Sequence, residues 1–413
     1  MVVPSDILLP AGPSANDSGL EFWASFADEI VRSRLDHDSG IVMDLVSAAG
    51  PVLYDDDPSS DTSQSDAEVH GAFAFVFANR GYLRHLNPIV CRLSGGGQVV
   101  QVLTPFLDQA QTLRDCGVQL VHIQEASSVD EMGTALSQYH ALLTALDFVL
   151  KRYTGLGIVT VKIPSTNLPF CDWLGSLSLE EWRNWHKPQN EMTVITNDRL
   201  ESLTRLLKSS NDAIYFGDLV NMRINLEQAS DLQTLRVVQS YQWKHGALSV
   251  HKRVLHGGLL PAVVESWYPH SDDSYAVILE DDVELSPMFY AWIKMGLLRY
   301  RWGAIYFPEH WREFHDYLSI RLSGQLPDLP VDAVVAPGVR SSKWTRSWKK
   351  YLIEFAYLRG YVMLYPNYAG FVSLSTNHLE VGSHVKDMPL EAYLQKRRLF
   401  LLPLMPLPTW NPR

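Results

Sequence analysis

The stretch of sequence that decides the fold is Tyr275-Ala-Val-Ile-Leu-Glu-Asp-Asp-Val-Glu-Leu-Ser-Pro287. Its apolar half has the composition of a strand buried in a parallel sheet, and Glu280, Asp281 and Asp282 follow at once. Carboxylate oxygens clustered after a buried strand are typical ligands of a divalent cation. The stretch therefore predicts an α/β fold that holds a metal-bound phosphate at the end of a strand.

Composition and charge narrow the possible classes of protein. The chain has 413 residues, of which 46% are hydrophobic and 20% are charged, so it is a globular chain with material for two or three domains. Its formal net charge of -11 argues against nucleic acid as a partner, because a nucleic-acid binder needs a basic surface. No membrane span and no leader segment is visible in the sequence. The spacing of the three cysteines indicates neither a zinc site nor a disulfide framework.

The pattern of residues divides the chain into two regions. Residues 1–190 are predicted to form a smaller α/β region, with an acidic, Ser-rich loop at 55–68 and a Trp-rich connector at 171–186. Strands are predicted in this region at 72–78, 99–103 and 118–123, and helices at 22–34, 105–114 and 132–153.

The second region, residues 191–413, alternates strands and helices. Alternation of this kind implies a mostly parallel sheet flanked by helices, whose ligands bind beyond the carboxyl ends of the strands. We expect Asn197, Asp198, Arg199 and Asp218 to fall at such ends and to share a crevice with the acidic triplet. The predicted strands are 192–196, 213–216 and 275–279, and the predicted helices are 200–207, 232–242 and 250–266.

Two segments of this second region resemble GT-A glycosyltransferases. Residues 193–208 are similar to the opening strand, turn and helix of that family, and residues 277–290 are similar to its DxD segment, most closely to that of the N-acetylglucosaminyltransferases that start complex N-glycans. The resemblance extends over residues 192–384, about half of the chain. It implies a GT-A fold and a metal-dependent transferase that moves a sugar from a nucleotide-diphosphate donor, UDP-linked by preference, to a glycan or another hydroxyl acceptor.

The resemblance also implies a role for each matching residue. Asp282 would be the direct ligand of Mn²⁺ or Mg²⁺, and Asp281 and Glu280 would meet the ribose or the water shell of the metal. His384, in a polar loop that also holds His378, would complete the metal or diphosphate site. The nucleotide would contact a further group of residues, namely Thr196, Asn197, Asp198, Arg199, Asp218 and Arg253. Two alternatives are equally open: Asp218 as the cap of the next element, and Arg253 as a surface cation on an amphipathic helix.

The sequence departs from the family where the catalytic base is expected. Inverting members carry an Asp or Glu at the start of the helix that corresponds to residues 348–359, and this carboxylate takes the proton from the acceptor. Lys349 and Lys350 stand there in this chain. Four interpretations stay open: a misplaced alignment, a base supplied by another carboxylate, a mechanism without a conventional enzymic base, or no catalysis.

Candidates for a base supplied from elsewhere lie in and around an aromatic stretch at residues 299–316. This stretch is predicted to line the acceptor site through Trp311, Glu309 and Asp316, because aromatic faces stack on sugars and carboxylates bind hydroxyl groups. We take Glu309 and Asp316 as the candidate catalytic carboxylates. Glu354 lies more than a helical turn beyond the lysines and is expected to be solvated or ion-paired.

Two other functional classes remain open at this point. The first is a nucleotidyltransferase or another Mg²⁺-dependent phosphoryl-transfer enzyme, which would use the same acids but lacks a Gly-rich signature loop. The second is a non-catalytic relative that binds a nucleotide sugar or a glycan. The resemblance suggests the lumen of the Golgi or endoplasmic reticulum, and a complete N-terminus would instead indicate the cytoplasm.

Overall fold

The computed structural model of the protein describes most of the second region and parts of the first. The described residues are 72–76, 80–104, 111–122, 141–144, 159–299, 306–323, 347–361, 366, 368–380 and 389–408. All of them belong to one unit of the chain. The predicted helix at 22–34 and the predicted loop at 55–68 lie outside the described residues, and the predicted boundary at residue 190 stays a prediction.

The secondary structure alternates between strands and helices along the chain. The strands are β1 (Ala72–Val76), β2 (Val99–Thr104), β3 (Gln119–His122), β4 (Ala141–Thr144), β5 (Val159–Lys162), β6 (Gln189–Thr196), β7 (Asn221–Leu226), β8 (Leu248–Lys252), β9 (Ser274–Glu280), β10 (Val283–Leu285) and β11 (Ser375–Asn377). The helices are α1 (Arg80–Gly95), α2 (Gln111–Asp115), α3 (Leu179–Arg183), α4 (Leu200–Asp212), α5 (Leu232–Ser240), α6 (Leu259–Val264), α7 (Phe289–Arg299), α8 (Pro308–Leu322), α9 (Trp348–Arg359) and α10 (Leu390–Phe400).

The strands form two parallel sheets and one antiparallel pair. The first sheet has the strand order β3-β2-β1-β4-β5, and the second has the order β8-β7-β6-β9. All neighbours within these two sheets are parallel, whereas β10 and β11 pair antiparallel. The predicted fold class, a mixed α/β fold with mostly parallel sheets flanked by helices, is confirmed.

Strand β9 is buried on both of its faces, as its apolar sequence predicts. Side chains alternate between the two faces of a strand, so neighbouring residues of β9 enter different cores. Tyr275, Val277 and Leu279 belong to the main core, while Ala276 and Ile278 belong to a second core formed with α6, α8 and α9. Each fully buried aliphatic side chain contributes roughly 1.5 to 3 kcal/mol to folding. This burial fixes β9 firmly inside the fold.

Several predicted elements differ from the structure. Residues 213–216 are not a strand, and the strand next to β6 is β7, whose alternation of polar and apolar residues at 221–226 the prediction missed. The predicted helix at 250–266 is wrong, because the end of β8 and the short helix α6 occupy this segment. Strand β4 lies within the predicted helix at 132–153, which is therefore wrong at this position.

The Trp-rich connector packs as predicted but has less helix than its length suggests. Two 3-10 turns, at residues 165–170 and 172–176, precede α3. Ser178 and Glu181 form a capping box at the start of α3, which satisfies backbone donors that a short helix leaves free. Trp182 and Trp185 stack at a centroid distance of 5.7 Å and are buried in the main core. The connector thus ties the first region to the second sheet.

Two further findings concern cysteines and membranes. Cys91 on α1 and Cys116 after α2 form a disulfide, so the prediction that the cysteines indicate no disulfide framework is wrong. Their pairing depends on how α1 packs on α2, and the spacing of the cysteines in the sequence does not reveal this packing. Cys171 is free and buried.

Among the helices in the described ranges, none is both long and apolar enough to cross a bilayer.

Loss of the disulfide should destabilise the protein. The two cysteines are separated by 25 residues, and the chain-entropy relation gives a loss of about 3 to 4 kcal/mol in the free energy of unfolding for a loop of this length. Urea unfolding of the C91S/C116S double variant measures the change. Thiol titration of the denatured, unreduced protein should detect Cys171 alone, and detection of all three cysteines would contradict the disulfide.

Candidate functional site

The candidate site lies at the carboxyl edge of the second sheet. Thr196 pairs in register with Leu226, and Ile195 pairs with Glu280, so the residues that follow β6, β7 and β9 emerge side by side. Parallel strands place their carboxyl ends at the same edge, which is where open α/β sheets bind ligands. The structure therefore brings the turn at residues 197–199 next to the acidic triplet, as the sequence predicts.

Asp281 joins the turn after β6 to the triplet after β9. Its side chain is only 7% exposed, and it accepts hydrogen bonds from Thr196 Oγ1 at 2.9 Å and from Arg199 at 3.2 Å. Burial raises the pKa of Asp281 to about 6, and the charge of Arg199 and the hydrogen bond from Thr196 oppose this rise. Both carboxylate oxygens of Asp281 are thus engaged within the chain, and Thr196 and Arg199 hold the triplet in place.

Glu280 and Asp282 present oxygens that the protein does not satisfy. Glu280 Oε1, Asp282 Oδ1 and Asn197 Oδ1 are buried and have no hydrogen-bond partner. Burial raises the pKa of Asp282 to about 7, with the charges of Glu280 and Asp281 adding to the rise. Buried oxygens without partners cost free energy unless another group satisfies them. A hard cation is a group of that kind.

A divalent cation fits these oxygens, provided that a ligand completes its coordination. Within the part of the chain that the structure describes, no three His, Cys, Asp or Glu side chains converge as a ready metal centre. Mg²⁺ is usually held by one or two carboxylates together with substrate phosphates, and such a site needs no third protein ligand. Asp282 and Glu280 are therefore suited to share a cation with a bound phosphate.

Residues after β7 and β8 form a second group at the same edge. Glu227 directly follows β7 and accepts hydrogen bonds from the backbone N–H of Gln228 at 2.8 Å and of Gly257 at 3.3 Å. Arg253 lies 3.9 Å from Glu227 and 2.8 Å from Glu265. These contacts place the predicted residue Arg253 at the carboxyl edge, where it already neutralises two carboxylates.

A narrow cleft connects this group to the end of β6. Its lining includes Thr196, Glu227, His251, Arg253 and Glu265. Glu227 and His251 were not predicted from the sequence. The signal for Glu227 is the alternation of Met222, Ile224 and Leu226 immediately before it, which predicts a strand ending at the same edge as β6.

Asp218 does not lie in this crevice, and that prediction is wrong. Asp218 precedes β7 instead of following a strand, and it accepts hydrogen bonds from Lys294 Nζ and from the hydroxyl of Tyr290, both at 2.7 Å. Tyr290 also contacts Asn190, the second residue of β6. These contacts put Asp218 at the amino edge of the sheet, opposite the triplet.

The Asp218 interaction is a buried ion pair. Lys294 is 1% exposed, and its ammonium also donates to the carbonyl of Trp185 at 2.6 Å and lies 4.5 Å from that indole ring. Burial lowers the pKa of Lys294, and Asp218 opposes this change. Asp218 therefore links the Trp-rich connector to α7 and the sheet, which is a structural role.

Glu309 is likewise far from the triplet. The backbone of Tyr306 bridges to Ala276 antiparallel, and Phe307 packs on Tyr275 at 5.4 Å, so α8 begins beside the first residues of β9. Since the seven residues of β9 span about 20 Å, Glu309 lies at the opposite end of this strand from Asp282. The prediction that Glu309 supplies the base beside the triplet is wrong.

Other residues of the predicted acceptor stretch have different surroundings. Trp311 is 1% exposed and donates to the carbonyl of Trp267 at 2.9 Å, so it is a core residue and not a sugar-stacking surface. Asp316 lies about two turns beyond Glu309 on the exposed face of α8, and its role stays a prediction. Glu354 is fully buried, accepts a hydrogen bond from Tyr317, and pairs with Arg321 at 2.8 Å.

The histidine loop is described only in part. His384 lies outside the described residues, so its predicted role at the metal stays a prediction. His378 follows β11, and its backbone N–H donates to the carbonyl of Asp282 at 2.8 Å. Its ring contacts Glu284 at 2.7 Å. The pairing of β11 with β10 therefore brings the start of the loop next to the triplet.

The start of α9 combines a buried anchor with a charge that acts on the triplet. Trp348 is 1% exposed and belongs to the second core, which also includes Ile195 of β6 and Ile278 of β9. The positive charge of Lys349 lowers the otherwise raised pKa of Asp282. The sequence identified Lys349 only as a departure from the expected base, whereas in the structure its charge also influences the pKa of the candidate metal ligand.

Comparison with protein families gives one match, over part of the chain. Residues 201–303 match the family described as the SPBC1E8.03c C-terminal domain. The matched segment is about a quarter of the chain and includes β7, β8, β9 and the triplet. No curated protein matches the sequence.

Comparison with solved structures gives distant likenesses. TarS 1–349 of S. aureus aligns at 16% identity over 25% of this chain and 31% of that chain, with a TM-score of 0.22. The same protein in complex with UDP aligns at 17% identity over 24% and 28% of the two chains, with a TM-score of 0.20. The glycotransferase of kitacinnamycin aligns at 10% identity over 51% and 75%, with a TM-score of 0.19. The matched part is less than a third of TarS, and TM-scores this low carry no argument about fold or function.

Replacing Asp218 should affect stability and not ligand binding. Asp218→Asn leaves the ammonium of Lys294 buried without its charged partner, which costs about 3 to 5 kcal/mol of unfolding free energy. Denaturant unfolding measures this loss, and the double variant D218N/K294M should recover much of it. Unchanged stability together with weaker binding of UDP would contradict the structural role and favour the original prediction.

The triplet should make the stability of the metal-free protein depend on pH. The ordinary pKa of 3.8 rises to about 6 for Asp281 and to about 7 for Asp282. Between the ordinary and the raised pKa values, the folded state therefore binds more protons than the unfolded state. Stability falls with rising pH wherever the folded state binds more protons than the unfolded state. The free energy of unfolding should therefore decrease as the pH rises from about 4 through about 7.

Urea unfolding across this pH range, in EDTA, measures the dependence. The matched variant Asp282→Asn lacks one of the two titrating carboxyl groups and should show a shallower decrease than the wild-type protein. Equal slopes for the two proteins would show that Asp282 does not titrate with a raised pKa.

Proposed function

We propose that the carboxyl edge of the second sheet binds a nucleotide-diphosphate sugar and transfers the sugar to a hydroxyl acceptor. The observation that carries the proposal is the set of buried, unpartnered oxygens on Glu280, Asp282 and Asn197, beside the Thr196–Asp281–Arg199 hydrogen bonds. This set combines oxygen ligands for a cation with a neighbouring guanidinium for an anion. A diphosphate that carries a divalent cation has the matching chemistry.

The nucleoside half of the donor would lie over the turn at residues 197–199, outside the cleft between β6 and β8, because the cleft encloses only about 10 Å³, which is room for about one water molecule. Asn197 offers an amide for base or ribose hydroxyl groups, and Arg199 keeps a side chain 36% exposed beside the triplet. Asp198 is exposed at the same turn. Glu227 and Arg253 line the cleft from the neighbouring strands. A uridine nucleotide is the donor that the sequence resemblance favours.

Asp282, with Glu280 beside it, would hold Mn²⁺ or Mg²⁺ against the diphosphate. The ion would neutralise the charge that collects on the leaving diphosphate as the bond to the sugar breaks. Asp281 would hold the triplet and the turn at residues 197–199 together and would not bind the ion, since both of its oxygens accept hydrogen bonds from Thr196 and Arg199. His384 stands as a further proposed ligand.

One observation favours a second candidate function, a non-catalytic protein that binds a nucleotide sugar. Lys349 stands at the start of α9, where the family carries its base, and an ammonium group has no lone pair with which to accept a proton. Glu354 further along α9 is paired with Arg321 and Tyr317, and Glu309 lies at the other end of β9. A base from Asp316 or from outside the described residues would restore the transferase.

A panel of nucleotide sugars, each with and without Mn²⁺, separates these functions. Release of UDP supports the transferase, and binding without turnover supports the second candidate. Release of pyrophosphate would point to a nucleotidyltransferase. No binding and no turnover with any donor would overturn the proposal.

Replacing Asp282 tests the assignment of the metal ligand. Asp282→Asn should lower the metal-dependent release of UDP by at least about 100-fold, because it weakens the neutralisation of the leaving group. Glu284→Gln is the matched control: it removes a carboxylate two residues away whose partner is His378 and not the candidate metal site. Full metal-dependent activity in D282N would disprove the assignment.

A further inference from the structure

Helix α10 lies on the surface of the protein. It has 11 residues, and none of the side chains described at residues 390–398 is buried. A helix this short is marginal in water, because most helical stability in proteins comes from packing an apolar face. One contact with the rest of the chain is the hydroxyl of Tyr393, which donates to the carbonyl of Leu379 at 2.9 Å. The helix is therefore attached to the fold and still has a face open to a partner.

The open face of α10 is an apolar stripe that ends in positive charge. Leu390, Leu394 and Arg398 follow one another at intervals of four residues, which places them on the same side of the helix. Leu390 is 72% exposed and Leu394 is 44% exposed. Arg397 and Arg398 lie in the last turn, where cations are favourable in any helix. That effect explains the arginines alone and gives no reason for two exposed leucines beside them.

An exposed aromatic side chain lies near the chain that leaves α10. This chain runs beside Ser373, which donates to the carbonyl of Pro403 and accepts from the N–H of Met405, both at 2.8 Å. Phe371, two residues before Ser373, is 78% exposed, and Leu401 after the helix is 38% exposed. The backbone of Phe371 has a φ of 56°, which is strained for a residue with a bulky side chain. The fold thus holds an aromatic ring in water at a cost in backbone energy.

These side chains form one surface, the α10 surface, which consists of Phe371, Leu390, Leu394, Arg397, Arg398 and Leu401. Single exposed aliphatic side chains are common, but a group of them next to cations is typical of a surface that contacts anionic lipid. The net negative charge of the chain belongs to another part of the sequence. Residues 1–71 hold 14 acidic and two basic side chains, whereas residues 72–413 hold 32 acidic and 33 basic.

A second copy of the chain fits this surface less well than a lipid membrane does. A two-fold dimer would bring the surface against itself, because both subunits use the same patch. The arginines at the end of α10 would then face like charges, which is unfavourable. Anionic headgroups instead carry the opposite charge, and the region below them accepts leucine and phenylalanine side chains.

We propose that the α10 surface binds the protein to an anionic lipid membrane. Leu390, Leu394 and Phe371 enter the boundary between headgroups and acyl chains, while Arg397 and Arg398 contact the headgroups. The inference does not rest on the proposed function, because no residue of the candidate site belongs to this surface.

Sedimentation of the full chain with lipid vesicles tests the proposal. One set of vesicles contains phosphatidylcholine alone, and the other also contains phosphatidylserine as about a third of the lipid. We expect the protein to bind the anionic vesicles at least about tenfold more tightly, because each arginine near an anionic surface contributes roughly fivefold in affinity. Salt at about 1 M, which shortens the Debye length to about 3 Å, should remove most of this difference.

Two double variants with the same chemistry make the test specific to α10. Leu394→Gln with Arg398→Gln should weaken binding to the anionic vesicles at least about tenfold. The matched control is L232Q/R236Q, which removes an exposed leucine and an exposed arginine at the same spacing from α5. This control should bind within about twofold of wild type. Equal binding by the two double variants, or no binding of wild type to either kind of vesicle, overturns the proposal.

Two further measurements separate lipid binding from damage to the fold and from dimerisation. Phe371→Gly should weaken vesicle binding by about fivefold or more without lowering the urea midpoint of unfolding, since glycine adopts a φ of 56° without strain. Unchanged vesicle binding by F371G would contradict the insertion of the ring. A wild-type dimer in ultracentrifugation without lipid, absent in L394Q/R398Q, would assign the surface to a second copy and overturn the proposal.

Discussion

The burial of β9 on both faces is the constraint on which the rest of the site depends. Tyr275, Val277 and Leu279 pack into one core and Ala276 and Ile278 into the other. A strand enclosed in this way cannot slip by a residue without exchanging the two sets of side chains. The point at which the chain leaves the sheet is therefore fixed, and Glu280, Asp281 and Asp282 must emerge together beside the end of β6.

The same burial gives the triplet its chemistry. Carboxylates at the end of a solvent-exposed strand would repel one another only weakly, because the solvent screens their charges. Here the enclosing cores remove much of that water, which raises the pKa values of Asp281 and Asp282. Thr196 and Arg199 compensate Asp281, while Asp282 keeps an oxygen without a partner. Keeping a buried oxygen of Asp282 without a hydrogen-bond partner at this edge lowers the free energy of unfolding. Such a cost is typical of a binding site.

The sequence predicted the parts of the site that depend on local pattern. The strand at 275–279 follows from its continuous apolar run, with the triplet directly after it, and the helix at 200–207 follows from apolar periodicity. These elements, with the short apolar strand at 192–196, lie where the sequence indicates. Asp218 and Glu309 were misassigned because their positions depend on the path of the chain. A missed strand, β7, shifts Asp218 to the amino edge, and the antiparallel bridge of Tyr306 carries Glu309 away from the triplet. The alternation of residues in β7 is a signal in the sequence, whereas the bridge between Tyr306 and Ala276 has none.

Lys349 shows why a departure from a family pattern is informative only with its surroundings. In the sequence, a lysine at the position of a base indicates lost catalysis or a wrong alignment. In the structure, Trp348 is buried in the second core, and the positive charge of Lys349 opposes the rise in the pKa of Asp282. An ammonium group has no lone pair with which to take a proton, so a transfer at this site would need its base from another part of the protein.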